Sequence, residues 1–387
     1  MIELRGTTWD HPRGWGGVRA AAAAFEEERR DVRVTWEVRT LQAFADQPIW
    51  ELARSCDLVV LDHPALGAAV AHDTLVPLDE HLDAAFLEEQ ARSSVGRSAE
   101  SYVWEGRRWA LAVDAAAQVA AYRPDLLERA EVPVPRTWDE ALTAIDRLGA
   151  AVAMPAIPVD AICAFLGTCR SLGGEPCTST DAVVERGVGR EALGTLRDLV
   201  ARSHPMSLSS NPPTVLDRMA NTDEVAYVPL AFGYVNFARE GFGRARLRFA
   251  PSPAGAAGVP SGTLGGAGLA VSSATAHAEA ACAVAAFTAS PDVQRTVYLE
   301  GGGQPGHRAA WTDEAADEAT GGFFRDTLEA LDAAYLRPRH DGFLAFQDQA
   351  GQLVHWVLET GEDADRVLDA LDASYRASLV TTAGADR

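Results

Sequence analysis

Among the residues able to do chemistry, one triplet occurs twice: Asp10-His11-Pro12 and Asp62-His63-Pro64. Each proline fixes the loop and withdraws a backbone donor, holding a carboxylate and an imidazole side by side. Such a pair has four uses. Two imidazoles oriented by neighbouring carboxylates can act as general acid and base, since a carboxylate sets the tautomer and raises the pKa. The same nitrogen and oxygen set could hold a divalent metal. It could equally hydrogen-bond the hydroxyls of a bound small molecule, or simply shape two loops. Trp9 and Trp15 flank the first triplet, and their ring faces suit stacking against sugar rings or acyl chains. The established nucleophile signatures are missing: there is no G-x-S-x-G elbow, no H-E-x-x-H and no Walker A loop.

The elements that must position these residues can be read from hydrophobic period. Ile2 to Arg5 alternates as a first strand, and Gly17 to Arg29 reads as a helix with Val18, Ala22 and Phe25 on one face. Val32, Val34, Trp36 and Val38 repeat at period two, a helix is expected over Leu41 to Arg54, and Asp57 to Asp62 is a continuous apolar run. This strand–helix–strand–helix–strand order requires a parallel sheet with right-handed crossovers. The two triplets therefore follow the first and third strands. Further on, Tyr102 to Trp109 predicts a hairpin through Glu105-Gly106, and Ala110 to Tyr122 a long strand. Thr137 and Glu140 form a capping box at a helix start. Val225 to Leu230 reads as a buried strand, Gly262 to Gly268 as a glycine-rich segment leading into the strand Leu269 to Val271, and the last hundred residues as helices ending in a frayed tail.

Composition removes whole classes of function. Fifty-five acidic residues against 34 basic ones leave a charge of −21, so nucleic acid and anionic membranes are repelled. Every basic residue is arginine; without lysine there is no Schiff base, no internal pyridoxal aldimine and no phosphate-loop lysine. Five cysteines (Cys56, Cys163, Cys169, Cys177, Cys282) without a CxxC pair predict reduced, mostly buried thiols. With 47% hydrophobic and 23% charged residues the chain is globular, and 387 residues suggest two lobes. The N-terminus shows no signal peptide or lipobox and no stretch is long enough for membrane insertion, which predicts a cytoplasmic protein, or an extracytoplasmic one if the start is trimmed.

Four stretches together resemble the family 1 extracellular solute-binding proteins, the carbohydrate-binding subunits of ABC transporters. They are Asp57 to Asp62 with Asp73 to Leu78; Trp109 to Asp114 with Tyr122 to Leu126 and Pro135 to Glu140; Gly265 to Val271 with Ala280 to Ser290 and Gly303 to Pro305; and the helical C-terminus. The resemblance implies a two-lobe α/β architecture, the periplasmic-binding-protein-like type II fold, each lobe a mixed sheet flanked by helices. It implies lobe one at 1–111 and 251–305, lobe two at 112–250, C-terminal helices 306–387 packed on both, and a ligand cleft closed by a hinge. It also implies the strand order 2-1-3, which sets both triplets at one sheet edge.

On this basis the expected ligand-binding residues are Trp9, Asp10, His11, Trp15, Asp62, His63, Asp114, Phe232, Tyr234, Gly265, Gly266, Gln304 and Arg308, with His307 in the same loop as the last two. Asp114 lies at the lobe crossover, where a carboxylate could accept hydroxyls or stabilise the hinge. Gly265 and Gly266 would let backbone amides approach a ligand, and Arg308 could meet an anionic one. The leading expectation is a small-molecule-binding protein for carbohydrate-like or hydroxyl- and carboxylate-bearing ligands, with no cofactor and, if exported, an ABC permease as partner. The rival is a cytoplasmic, metal-independent lyase, isomerase or cyclase of secondary metabolism on the same fold, with His11, His63, Asp10 and Asp62 as its acid/base set.

Overall fold

The computed structural model describes residues 1–40 and 48–380. In chain order its main elements are β1 (Ile2–Trp9), α1 (Pro12–Glu28), β2 (Val32–Arg39), α2 (Ile49–Ala53), β3 (Leu58–Leu61), α3 (Leu66–Ala71), α4 (Ala84–Ser93), β4 (Val103–Trp104), β5 (Arg107–Arg108) and β6 (Ala110–Tyr122). These are followed by α5 (Trp138–Leu148), α6 (Pro158–Ser171), α7 (Arg186–Arg202), β7 (Tyr227–Phe232), β8 (Arg248–Ala250), β9 (Leu264–Val271), α8 (Ala278–Ala289), a π-helical turn (Gln294–Tyr298), α9 (Phe343–Thr360) and α10 (Ala364–Val380). The chain forms two compact units. One comprises Met1–Ala116, Gly265–Glu318 and Arg339–Asp341; the other comprises Ala117–Leu264, Ala319–Pro338 and the chain from Gly342 onward.

In the first unit β1 lies between β2 and β3, parallel to both, with Ile2 opposite Val32 and Gly6 opposite Leu58. This is the order 2-1-3. β3 pairs antiparallel with β9, and β9 lies beside β6. The four residues of β3 are all buried, which accounts for their unbroken apolar run. β2 is an edge strand: Val32 and Val34 are buried while Arg33, Thr35 and Glu37 face outward. In the second unit the latter half of β6 runs between β7 and β8, antiparallel to each. Helices α6, α7, α9 and α10 supply its core, which includes Phe165, Leu166, Leu196, Phe346 and Leu371.

Several sequence expectations meet their elements directly. The β4–β5 hairpin turns through Glu105 and Gly106, both at positive φ, as a two-residue I′ turn requires. The Thr137 hydroxyl accepts from the Glu140 amide (3.2 Å), and the Glu140 carboxylate accepts from the amide of Arg136 (2.7 Å) rather than from that of Thr137. Others are corrected. Helix α1 begins at Pro12, five residues before the expected Gly17, because extended His11 caps it and proline pre-sets the first turn. Of the helix expected over Leu41 to Arg54, Ile49–Ala53 is helical, while residues 41–47 lie outside the described residues, as does the tail expected to fray. The strand expected at Val225 to Leu230 runs two residues later. The strand expected to start at Leu269, after the glycine-rich segment, starts five residues earlier, at Leu264. Gly266 sits at φ +101, and a Cβ there would lie 2.3 Å from the carbonyl oxygen of Asp114. Glycine is required because the neighbouring backbone fills the space.

All five cysteines are reduced, four of them buried and Cys177 half-buried. Burial pushes the thiols up: Cys56 and Cys177 to about 12, Cys282 to about 11, and Cys169 well above its usual value.

Helix α1 packs on the loop at Gly301 through Gly16, where a Cβ would stand 2.0 Å from the Gly301 carbonyl oxygen. Gly16→Ala therefore lowers stability by about 1–3 kcal/mol in urea denaturation, although alanine is the better helix former by about 1 kcal/mol. An unchanged or raised midpoint would show that α1 can move away from the loop at no cost.

Candidate functional site

Parallel pairing of β1 with β3 sets both Asp-His-Pro triplets at the carboxyl end of the first unit's sheet. The two are not used alike. Asp10 is exposed, and its amide donates to the Arg39 carbonyl (2.7 Å), continuing the strand pairing. His11 is half-buried at the cap of α1, where its Nδ1 accepts from the Arg13 amide (3.0 Å). Burial, with the Arg13 charge, drives its pKa down to about 4. In the second triplet Asp62 is partly exposed and its Oδ1 lies 3.1 Å from Nδ1 of His63, whose side chain is 1% exposed.

The centre of this edge is a residue that sequence reasoning missed. Arg13, on the first turn of α1, is buried and grips Asp114 of β6 with both arms: Nε donates to Oδ2 at 2.8 Å and Nη2 donates to Oδ1. The Asp114 side chain is fully buried. Burial pushes its carboxyl above the usual range, and the charge of Asp62 adds to this, against the pull of Arg13 and of the Gln304 amide. The hydroxyl of Tyr298 lies within the field of the same pair, and burial raises it. The available signal was positional: an arginine directly after a triplet whose proline starts a helix is a ready counter-charge for a carboxylate in a neighbouring strand.

Arg13, His11, Asp114, Asp62 and His63 thus form one polar group, and the other expected residues lie in different settings. Trp9 is in the core, 6% exposed, its ring covered by Gly14. Asp114 is committed to Arg13. Gln304 is fully buried, donating from Nε2 to the Ala115 carbonyl (2.7 Å) while Ala115 donates back to the Gln304 carbonyl (3.0 Å). Gly265 and Gly266 belong to a strand, and the space beside Gly266 is taken by β6. Trp15 is half-buried with Arg19 over its ring at 5.1 Å. His307 is buried: Nδ1 accepts from Ala309 (3.1 Å) and Nε2 meets Glu89 (2.9 Å), fixing the loop that carries half-buried Arg308. That loop is also held by Gln294 of the π-helical turn, whose Oε1 accepts from Gly306 (2.7 Å). Phe232 and Tyr234 are in the second unit, Phe232 half-buried at the end of β7 and Tyr234 buried.

These placements bear on chemistry. A histidine held near pKa 4 is a weak base at neutral pH, and the ring of His63 is sealed from solvent. Among the described residues, no group of three or more His, Cys, Asp or Glu side chains is arranged to hold a metal ion, and no helix is long and apolar enough to cross a membrane.

Residues 16–295 match the family model of bacterial extracellular solute-binding proteins. The chain belongs to that family. Among curated proteins no sequence matches this solute-binding protein. Solved structures share its fold. The maltose-bound MalE3 of T. maritima is 19% identical with a TM-score of 0.83, covering 97% of this chain and 100% of that one. The GacH receptor of Streptomyces glaucescens, solved unliganded and with acarbose, is 20% identical with a TM-score of 0.81, covering 98% and 99%. An ABC transporter solute-binding protein of Agrobacterium vitis with bound D-mannitol is 15% identical with a TM-score of 0.78, covering 99% of both.

Two outcomes test this arrangement. Asp114→Ala strands the Arg13 charge in the interior and should lower unfolding free energy by about 3–5 kcal/mol in urea denaturation; a loss under 1 kcal/mol would mean water reaches the pair. For His11, the unfolded chain binds a proton near pH 6.5 and the folded chain only near 4, so its contribution to stability is present above 6.5 and lost as pH falls through that window. His11→Asn keeps a capping side chain, and its melting temperature should fall less steeply than the wild type's between pH 6.5 and 4.

Proposed function

We propose that this protein is the solute receptor of an ABC importer, that its solute is a sugar or polyol, and that it works outside the cytoplasm with a permease as partner. The observation that carries the reading is the family match over residues 16–295. The solved structures of this fold with maltose, ribitol and D-mannitol support the solute class. The edge of the first unit's sheet is compatible with it. Asp10 and Asp62 present carboxylates to solvent, able to accept hydroxyl donors, and Trp15 lies partly open nearby in sequence for stacking on a ring face. Arg13 and Asp114 support this edge from beneath, and their bidentate pairing holds the first turn of α1 in place.

A panel of monosaccharides, disaccharides and alditols, screened by thermal shift and followed by calorimetry, tests the proposal. A true solute at 100 times its Kd should add about 2.7 kcal/mol to the folded state. Asp62→Asn should weaken binding by about tenfold or more, the effect of losing a charged acceptor. Two results would count against the reading. One is a panel that binds nowhere in the millimolar range; the other is a solute recovered chemically changed, which would restore the enzyme alternative.

A further inference from the structure

We infer that the second unit carries a binding site for a phosphate-class oxyanion, built from Arg246, Arg248 and Arg325 around the start of the helix Phe323–Ala333. The inference is independent of the receptor reading, and every residue it uses belongs to the second unit.

A charge of −21 repels anions at a distance, so a site for one has to be assembled locally. Two adjacent glycines, Gly321 (φ +60) and Gly322 (φ +85), allow it. A Cβ on Gly321 would stand 2.6 Å from Cζ of Arg246. One on Gly322 would stand 2.6 Å from Nη2 of Arg325 and 3.4 Å from Nη2 of Arg248. The left-handed backbone and the crowding guanidinium groups both require glycine, and the missing side chains let three cations converge on one turn of chain. Like charges brought this close repel, and an anion among them relieves the repulsion.

The protein supplies part of that anion. Asp326, on the first turn of the helix, accepts from Nη2 of Arg248 (2.9 Å) and from Nε of Arg325 (3.3 Å). Arg246 is positioned by neutral groups: its Nε donates to the Ala238 carbonyl and its Nη2 to the Ala319 carbonyl (3.2 Å). Carbonyls fix a guanidinium in place without cancelling its charge. Donors stay within reach of solvent, since the side chains of Arg248 and Arg325 are 39% and 68% exposed, and Nε of Arg248 has no hydrogen-bond partner. Tyr122 stands opposite Arg248 in the β6–β8 pairing, on the same face of the sheet, and adds a hydroxyl within the field of Arg248 and Asp326. No side chain caps the helix at Gly322, so the partial positive charge of its first turn acts in the same sense. The three arginines arrive from different segments: the approach to β8, β8 itself and the helix. A carboxylate spreads its acceptors in one plane, whereas a tetrahedral oxyanion offers them in as many directions as the arginines come from.

The test titrates inorganic phosphate and glycerol phosphate calorimetrically into the full chain at neutral pH and low ionic strength. The wild type should bind at least one of them at millimolar concentration or below. Binding of inorganic phosphate marks a site for the free oxyanion; binding of the ester alone marks one for a phosphate carried on a small organic molecule. Arg248→Gln and Arg325→Gln should each lower affinity about tenfold. Arg325→Gln changes a mostly exposed side chain and so reads the site independently of folding. Asp326→Asn withdraws the competing carboxylate and should raise affinity several-fold, the opposite of what a damaged fold would do. Arg366→Gln, on α10 with its guanidinium over Trp356, removes the same charge elsewhere and should leave affinity unchanged. Failure of both probes to bind, affinity that Arg248→Gln and Arg325→Gln leave undiminished, or an equal loss in Arg366→Gln overturns the assignment and leaves the receptor reading standing.

Discussion

The interaction on which the first unit most depends is the buried pair of Arg13 and Asp114. A guanidinium and a carboxylate taken out of water cost several kcal/mol each, and the cost is recovered only when their geometry is close to ideal and their remaining valences are filled. Much of the local structure follows from that requirement. The strand β1 must pass into α1 within two residues for Arg13 to reach β6, which is why a histidine cap and a proline start the helix so abruptly. The loop at Gln304 must return beside β6, and Gln304 is locked there by exchanging hydrogen bonds with Ala115. Gly266 must remain glycine because β6 and β9 meet closely at Asp114 itself. Gln304 and Gly266, expected from the sequence to face a ligand, also pack around this pair.

That distinction explains how much was legible in the sequence. The βαβ order, the hairpin at Glu105-Gly106 and the capped helix at Thr137 were visible because each is written in local period or local turn chemistry, whereas the 2-1-3 strand order was implied by the family resemblance alone. The start of α1 was not, since histidine is an uncommon cap and the glycines at 14, 16 and 17 suggest a loop. Those glycines are instead sites where α1 touches a ring or backbone. The strand character of Gly265 and Gly266 was hidden for the same reason: low side-chain volume signals either freedom or crowding, and the sequence does not say which. Trp9 has the composition of a stacking residue and the position of a core residue. Arg13 was missed because its significance lies in a partner about 100 residues away.

The two histidine triplets illustrate how one motif can be divided between tasks. Both occupy corresponding strand ends, yet His11 is spent on a helix cap and His63 is buried, while Asp10 and Asp62 keep access to solvent. Two carboxylates reach solvent, while burial and the Arg13 charge lower the pKa of His11 to about 4. The membership of the chain in the solute-binding family fits that division.

The state of the thiols has a practical consequence. Every cysteine is buried or nearly so, and burial raises the thiols of Cys56, Cys169, Cys177 and Cys282, so thiolate is scarce on the folded surface at neutral pH. These 387 residues also contain no lysine to compete for a thiol-directed reagent. A cysteine introduced at an exposed position would therefore be the one fast-reacting handle for a maleimide dye, with no need to delete native thiols. A dye attached there would report on that one position alone.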